Sequence, residues 1–234
     1  MSRRRNRRGR RSRRAAIKPW APSVYGTNKR GHAVLLGDSI FDNSSYTAGK
    51  PDVAQRLYSV LGDDYRVTLL AMDGATTGSL AWQLDRLPED ATRLVVSIGG
   101  NDANMEWKML RDQEQMTMRE ALDKLSMMAY MFELSYIEAM NAVLETDIPV
   151  TVCTIYDPDF LGDTRYPALA ALTMFNDVIL RYAFAHDLPV IDLRTVCNIP
   201  EDFEMEIEPS AIGGAKIARA IADKVFPADV PAWS

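Results

Sequence analysis

Three short segments of this 234-residue chain carry residue types whose spacing suits acyl-transfer chemistry. They are Gly37-Asp38-Ser39-Ile40-Phe41-Asp42-Asn43, Met72-Asp73-Gly74-Ala75-Thr76-Thr77-Gly78 and Gly99-Gly100-Asn101-Asp102-Ala103-Asn104. Each follows an apolar run and reads as a tight turn. A serine hydroxyl on such a turn is exposed for attack on a carbonyl, and the tetrahedral intermediate then needs donors aimed at its oxyanion. Glycine lets a backbone N–H come close, and an asparagine NH2 is an uncharged, directional donor. Ser39 as nucleophile, with the N–H groups of Ser39 and Gly74 and the Asn101 side chain as oxyanion hole, meets that need. Asp, Asn, Ser and Gly are also the ordinary turn formers, so one such turn alone is loop chemistry. Three in this order, each at a strand end, point to a shared site.

The elements between them must bring the turns together. Residues 33–36 are a short continuous apolar run, the mark of a strand buried on both faces. Helical spacing over 53–61 follows, with Pro51 placed to open the helix and Gly62 to close it. Strands are expected at 66–71, 93–98, 149–154 and 189–193, and a short helix at 80–87. A long helix is expected from about 117 to 145, with Thr117 and Glu120 in capping-box spacing. Met118, Leu122, Leu125, Ala129, Phe132, Tyr136, Met140 and Val143 line one of its faces. Helices over 167–185 and after Ser210 complete the pattern. Such alternation predicts an α/β fold, a parallel sheet with helices on both faces, whose chemistry gathers at the carboxyl ends of the strands.

Composition narrows the function further. With 47% apolar and 25% charged residues the chain reads as one domain, over 32–226, between a basic tail and linker (1–31) and a short C-terminal tail (227–234). The first 30 residues carry 12 Lys/Arg and no acid, which leaves 15 basic against 32 acidic residues in the rest, a net −17. A domain that acidic is a poor nucleic-acid surface; the arginine-rich tail alone offers weak, non-specific contact with nucleic acid or another anionic surface. Without an apolar stretch after the arginines there is no secretory signal, and a cytoplasmic location is expected. No apolar run approaches ~18 residues, so no membrane span is expected. Two cysteines and two histidines exclude a disulfide scaffold, a four-cysteine zinc site and a three-histidine metal site. Phosphate-loop, dinucleotide and zinc-protease motifs are absent, and Phe41 excludes the G-x-S-x-G elbow.

Taken together, the three turns resemble the blocks of the SGNH (GDSL) hydrolase superfamily: the nucleophile block around Ser39, an oxyanion glycine at Gly74, and G-x-N-D at Gly99-Gly100-Asn101-Asp102. The resemblance covers about 32–226. It implies a flavodoxin-like three-layer α/β/α fold with a five-stranded parallel sheet, hydrolysis of acyl or acetyl esters, and no metal or organic cofactor. The family's last block is D-x-x-H. Here Met205-Glu206-Ile207-Glu208 occupies it, with Glu208 in the place of the catalytic His and Met205 in that of its orienting Asp. His32 begins the first strand and His186 ends a helix, both at the amino edge of the sheet, so neither is expected to replace it. Glu208 is therefore the candidate base, and a structural, helix-capping role is its alternative. Asp38, Asp102, Trp107 and Tyr156 are expected to face the substrate. A second reading, a non-catalytic or weakly active binding protein on the same fold, stays open because the histidine is missing.

Overall fold

The structure, a computed structural model, describes residues 21–111 and 116–228, for 106–111 and 164 by their backbone alone. The basic segment 1–20 and residues 229–234 lie outside the described residues. Six strands form one sheet: β1 (Ser23–Gly26), β2 (Gly31–Gly37), β3 (Tyr65–Leu69), β4 (Arg93–Ser97), β5 (Val150–Cys153) and β6 (Val190–Ile191), in the order β1-β3-β2-β4-β5-β6. The five expected strands, β2 to β6, run parallel in the flavodoxin-like order. β1 is an addition. It pairs antiparallel with β3, inside the stretch read as linker, so the folded domain starts before residue 32. Four residues, Ser-Val-Tyr-Gly, are too few for a strand pattern to declare itself.

β2 is buried along its whole length because both its faces are covered. Ala33 and Leu35 point to one core, shared with α1 (Val53–Leu61), α6 (Leu193–Val196) and α7 (Ala211–Val225). Val34 and Leu36 point to the other, shared with α2 (Leu80–Leu84), α4 (Met118–Leu144) and α5 (Arg165–Ala185). β3 and β4 flank β2 on opposite sides, which opens a crevice at the carboxyl end of β2, where Ser39 lies.

Several local expectations change. Asp52 rather than Pro51 caps α1: its carboxylate accepts the Gln55 N–H at 2.8 Å, and Gln55 returns the bond to the Asp52 N–H at 3.0 Å. Thr117 and Glu120 do form the capping box of α4. Its apolar face divides, however. Phe132, Tyr136, Met140 and Val143 are buried, whereas Met118 and Leu122 are exposed. At ~1.5 Å per residue the 27-residue helix is far longer than the strands it crosses, so its first turns project beyond the core. The stretch after Gly99, read as turn and insertion, forms α3 (Gly100–Arg111). A two-stranded hairpin, β7 (Phe203–Glu204) and β8 (Glu208–Pro209), was also not foreseen. α5 is long and apolar enough to cross a membrane, contrary to the sequence reading, but Phe175, Val178, Ile179 and Tyr182 pack into the core, as in a core helix. Cys153 and Cys197 are free and buried.

The turn that bears Ser39 is tensioned from behind. Gly37 takes φ +135°, and a Cβ there would lie 1.8 Å from the Ser97 carbonyl oxygen. Gln83, fully buried in α2, holds both polar groups of Gly37: its Oε1 accepts the N–H and its Nε2 donates to the C=O, each at 2.8 Å. In Gln83→Leu the carbonyl keeps the Met72 N–H at 3.0 Å but the Gly37 N–H is left buried without a partner. Urea unfolding is expected to show a loss of about 1–3 kcal/mol.

Candidate active site

The three polar turns meet at the carboxyl edge of the sheet. The first winds around Asp38, whose carbonyl accepts the N–H groups of Phe41 and Asp42 at 3.1 Å and whose Oδ1 accepts that of Ile40 at 3.1 Å. Ser39 sits on this turn, 7% exposed. Side chains from the first and third turns grip the backbone of the second. Asp42 accepts the Asp73 N–H at 2.9 Å, and Asn101 donates through Nδ2 to the Ala75 carbonyl at 2.9 Å. Asp102 accepts the Thr77 hydroxyl at 2.7 Å and its N–H at 3.1 Å. Between these anchors Gly74 takes φ +82°, with open space where a side chain would stand. The backbone N–H groups of Ser39 and Gly74 donate to no group among the described residues.

Glu208 reaches the site from the other end of the chain. The hairpin that carries it has Met205 and Glu206 at φ +50° and +70°, a strained turn for residues other than glycine. Four bonds fix it. Asn43 donates to the Pro209 carbonyl at 3.0 Å and the Tyr156 hydroxyl to the Ile207 carbonyl at 2.7 Å. The Asp159 N–H donates to the Glu206 carbonyl at 2.8 Å, and the Ser210 N–H to that of Asp202 at 2.8 Å. Ser210 then caps α7 by accepting the N–H groups of Ile212 and Gly213, so the cap is Ser210 and Glu208 is free of that duty. The Ser39 hydroxyl favours the charged form of the Glu208 carboxyl, although no hydrogen bond within 3.5 Å joins the two among the described residues.

Electrostatically the site is a group of desolvated acids. Burial pushes Glu208 above the usual glutamate range, against the Ser39 hydroxyl and with the charge of Asp73 adding to the rise. Burial pushes Asp38 up to about 8; the Ile40 N–H opposes this, and Glu208, Asp102 and Asp73 reinforce it. Burial also raises Asp42 and Asp102. Oδ2 of Asp38 and Oε2 of Glu208 are buried and accept no hydrogen bond among the described residues.

Asp38, Ser39, Asn101, Tyr156 and Glu208 line one cavity, with about 780 Å3 of free space including its mouth. Asn104 of α3 adds one more polar side chain, and the rest of the wall is mostly apolar: Leu125 and Met128 of α4, Ala168, Ala171, Leu172 and Phe175 of α5, and Ile155, Phe160 and Ile207 from loops. One expected contact is corrected. Asp102 does not line the cavity; both of its oxygens are engaged by Thr77, a structural duty that its place in the first turn of α3 imposes. Gly74 also stands outside the wall, at an exposed rim. The side chain of Trp107 lies outside the described residues. Tyr156 contributes ring surface, its hydroxyl being committed to Ile207. His32 is fully buried at the start of β2 between Asp90 and Thr68, at 2.8 and 2.7 Å, and His186 is stacked on Tyr182 at the end of α5; neither belongs to the site.

Asn43 and Asn176 complete the construction and were not recognised from sequence. Asn176 holds both polar groups of Ile155 at 2.8 Å, fixing the end of β5 beside Tyr156. A lone asparagine on a core helix carries no signal for this. Asn43 had one, since it closes the first motif.

Solved structures share the fold. The extracellular lipase from Streptomyces rimosus aligns with a TM-score of 0.65 at 18% identity, over 83% of this chain and 99% of that one. The lipase Lip_vut3 from a goat rumen metagenome aligns at 0.66 with 16% identity, over 84% and 98%. The acetylxylan esterase Axe2 from Geobacillus stearothermophilus aligns at 0.61 with 17% identity, over 89% and 99%. No curated protein sequence matches the chain. The family model for the GDSL-like Lipase/Acylhydrolase family matches residues 35–213, a span that takes in all three turns and the Glu208 hairpin. The chain belongs to that family and is a hydrolase acting on ester bonds.

Proposed function

We propose that Ser39 attacks the ester carbonyl and that Glu208 is its general base. The observation that carries this reading is that Ser39 and Glu208 line one largely apolar cavity, where the Ser39 hydroxyl favours the charged form of the Glu208 carboxyl. Glu208 takes the hydroxyl proton as Ser39 Oγ bonds to the carbonyl carbon. The N–H groups of Ser39 and Gly74 and the second N–H of Asn101 Nδ2 receive the oxyanion; the first holds Asn101 in place through Ala75. Collapse of the intermediate expels the alcohol, which leaves with the proton from Glu208. Water then attacks the acyl-enzyme by the same route in reverse.

An ordinary glutamate, with a pKa near ~4.3, is a weak base for a serine hydroxyl. Burial raises Glu208 above that range, and Asp38, which keeps its proton up to about pH 8, adds no second full charge beside it. Ser39→Ala is expected to abolish hydrolysis of p-nitrophenyl esters. Glu208→Gln, which cannot take the proton, is expected to lose about 10³-fold or more in kcat/KM. In the wild type kcat/KM should fall toward acid pH along a limb set by Glu208, above the ordinary glutamate value; the residual rate of Glu208→Gln should lack this limb. Equal rates in wild type and Ser39→Ala would mean a site that binds without turnover.

The cavity wall supports an acyl group larger than acetyl, since each buried CH2 contributes ~0.8 kcal/mol in such a setting. Rates for p-nitrophenyl hexanoate are expected to exceed those for the acetate. Ala171→Phe, which narrows the cavity along α5, should depress the hexanoate rate at least tenfold and the acetate rate much less.

Asp38 also leaves a mark on stability. Its folded pKa, about 8, lies above its unfolded value, so the folded state binds the extra proton between roughly pH 4 and 8. Stability from this group is therefore full below pH 4 and declines as pH rises toward 8. Asp38→Asn keeps Oδ1 for the Ile40 N–H and removes the titration. Urea unfolding at pH 5 and pH 8 should show a smaller fall in the variant than in the wild type.

A further inference from the structure

The outer side of α4 is an exposed apolar stripe on which nothing is packed among the described residues. Met127, Tyr130, Met131, Leu134 and Ile137 are 36–60% exposed and lie opposite the buried Phe132, Tyr136 and Met140. Isolated exposed apolar residues are ordinary, but five aligned over three helical turns are not. Met127, Tyr130, Leu134 and Ile137 are spaced 3, 4 and 3 apart, the alternation of a coiled-coil seam, with Met131 on its flank. Asp123 precedes the stripe and Asn141 follows it at the same spacing.

That arrangement is complementary to itself in one direction. Laid antiparallel, Met127 of one copy meets the partner's Ile137 and Tyr130 meets the partner's Leu134, so the apolar stretches coincide over their full length. Asp123 then faces the partner's Asn141, polar against polar. On one flank Lys124 comes beside the partner's Glu138, and the twofold axis repeats the pair at the other end. Parallel alignment would instead bring Arg119 beside the partner's Lys124 and Glu133 beside the partner's Glu138, like charge against like. On the other flank Glu133 is neutralised within its own chain by Arg181 at 2.6 Å, so the two copies of Glu133 do not repel as free charges.

We propose that α4 is a self-association surface, pairing antiparallel with α4 of a second copy of this chain around a twofold axis near residue 132. The inner side of the same helix supplies Leu125 and Met128 to the cavity wall, so the pairing braces that wall from outside. The seam is short beside the ~800 Å2 per partner of a standard interface, and the dimer is expected to be micromolar.

Sedimentation equilibrium of the full chain from about 1 to about 100 µM is expected to show monomer–dimer exchange. Leu134→Glu should raise the dissociation constant at least tenfold, with an unchanged circular dichroism spectrum. Lys124→Glu and Glu138→Lys should each weaken association several-fold, and the two together in one chain should restore it, because the reversed pair is complementary again. A chain that stays monomeric at about 100 µM would overturn the proposal, as would a dimer indifferent to Leu134→Glu or a double reversal that fails to rescue. Binding of a monomeric wild type, but not of Leu134→Glu, to phosphatidylcholine vesicles would assign the stripe to a lipid surface and overturn it equally.

Discussion

One buried amide sets the distance between the two ends of the proposed reaction. Asn43 lies four residues after Ser39, its Oδ1 accepts the Val53 N–H at 3.0 Å, and its Nδ2 donates to the Pro209 carbonyl at 3.0 Å. The second bond joins residues 166 positions apart and lands next to Glu208. Pro209 has no N–H, so its carbonyl is the only backbone group through which that residue can be anchored. α7 closes in behind, since a Cβ at Gly214 would lie 2.9 Å from Asn43 Nδ2. The nucleophile and its proposed base are thus positioned by a shared neighbour rather than by a tight bond to each other. That leaves the Ser39 hydroxyl able to turn toward a substrate.

Placing the site in a dry crevice has an electrostatic cost that no cation among the described residues lining the cavity offsets. Elsewhere acids behave as paired groups do: the Lys29 ammonium lowers Asp64, and the Arg194 guanidinium lowers Asp192. At the site the order is inverted, and Asp38, Asp42, Asp102 and Glu208 are all raised by burial. Among the described residues no Lys, Arg or His lines the cavity. Concentrated perturbation of this kind marks a place shaped for reaction rather than for stability. The supporting bonds from Gln83, Asn43 and Asn176 are neutral amides aimed at backbone, which fix geometry without adding charge that would shift the acids back.

The parallel sheet was legible because burial on both faces forces continuous apolar strands, and period-3.6 helices between them leave few topologies. The turns at the strand ends were legible for the complementary reason: a strand that stops in Gly, Asp, Ser and Asn has stopped packing. What failed has physical causes too. Helical spacing told which face of α4 is apolar but not how far the sheet beneath it extends, so Met118 and Leu122 were assigned to a core that ends before them. Asp102 shares the motif with Asn101, yet one helical position turns its carboxylate onto Thr77 while Asn101 stays in the cavity wall. The hairpin around Glu208 has only two residues per strand and owes its shape to Asn43, Tyr156 and the Asp159 N–H, contacts between distant segments that no local pattern encodes.

In the proposed mechanism the apolar wall and the Glu208 base are linked through water. A carboxylate in an open crevice is solvated and weakly basic; each water removed from its surroundings destabilises the charged form and strengthens it as a base. The cavity is open to solvent on one side, while Ser39 and Glu208 within it are only 7% and 9% exposed. In the proposed reaction an acyl chain lying along Leu172, Phe175 and Met128 would displace the remaining solvent as it binds, so that apolar contact remote from the reacting carbon would be converted into basicity at Glu208. A histidine gains less from such drying, because burial lowers the pKa of an imidazole and weakens it as a base, as His32 illustrates elsewhere in this fold. With Glu208 as the base we propose, the coupling between substrate burial and base strength has the opposite sign to an imidazole's, and the apolar wall becomes part of the proton-transfer machinery rather than a passive container.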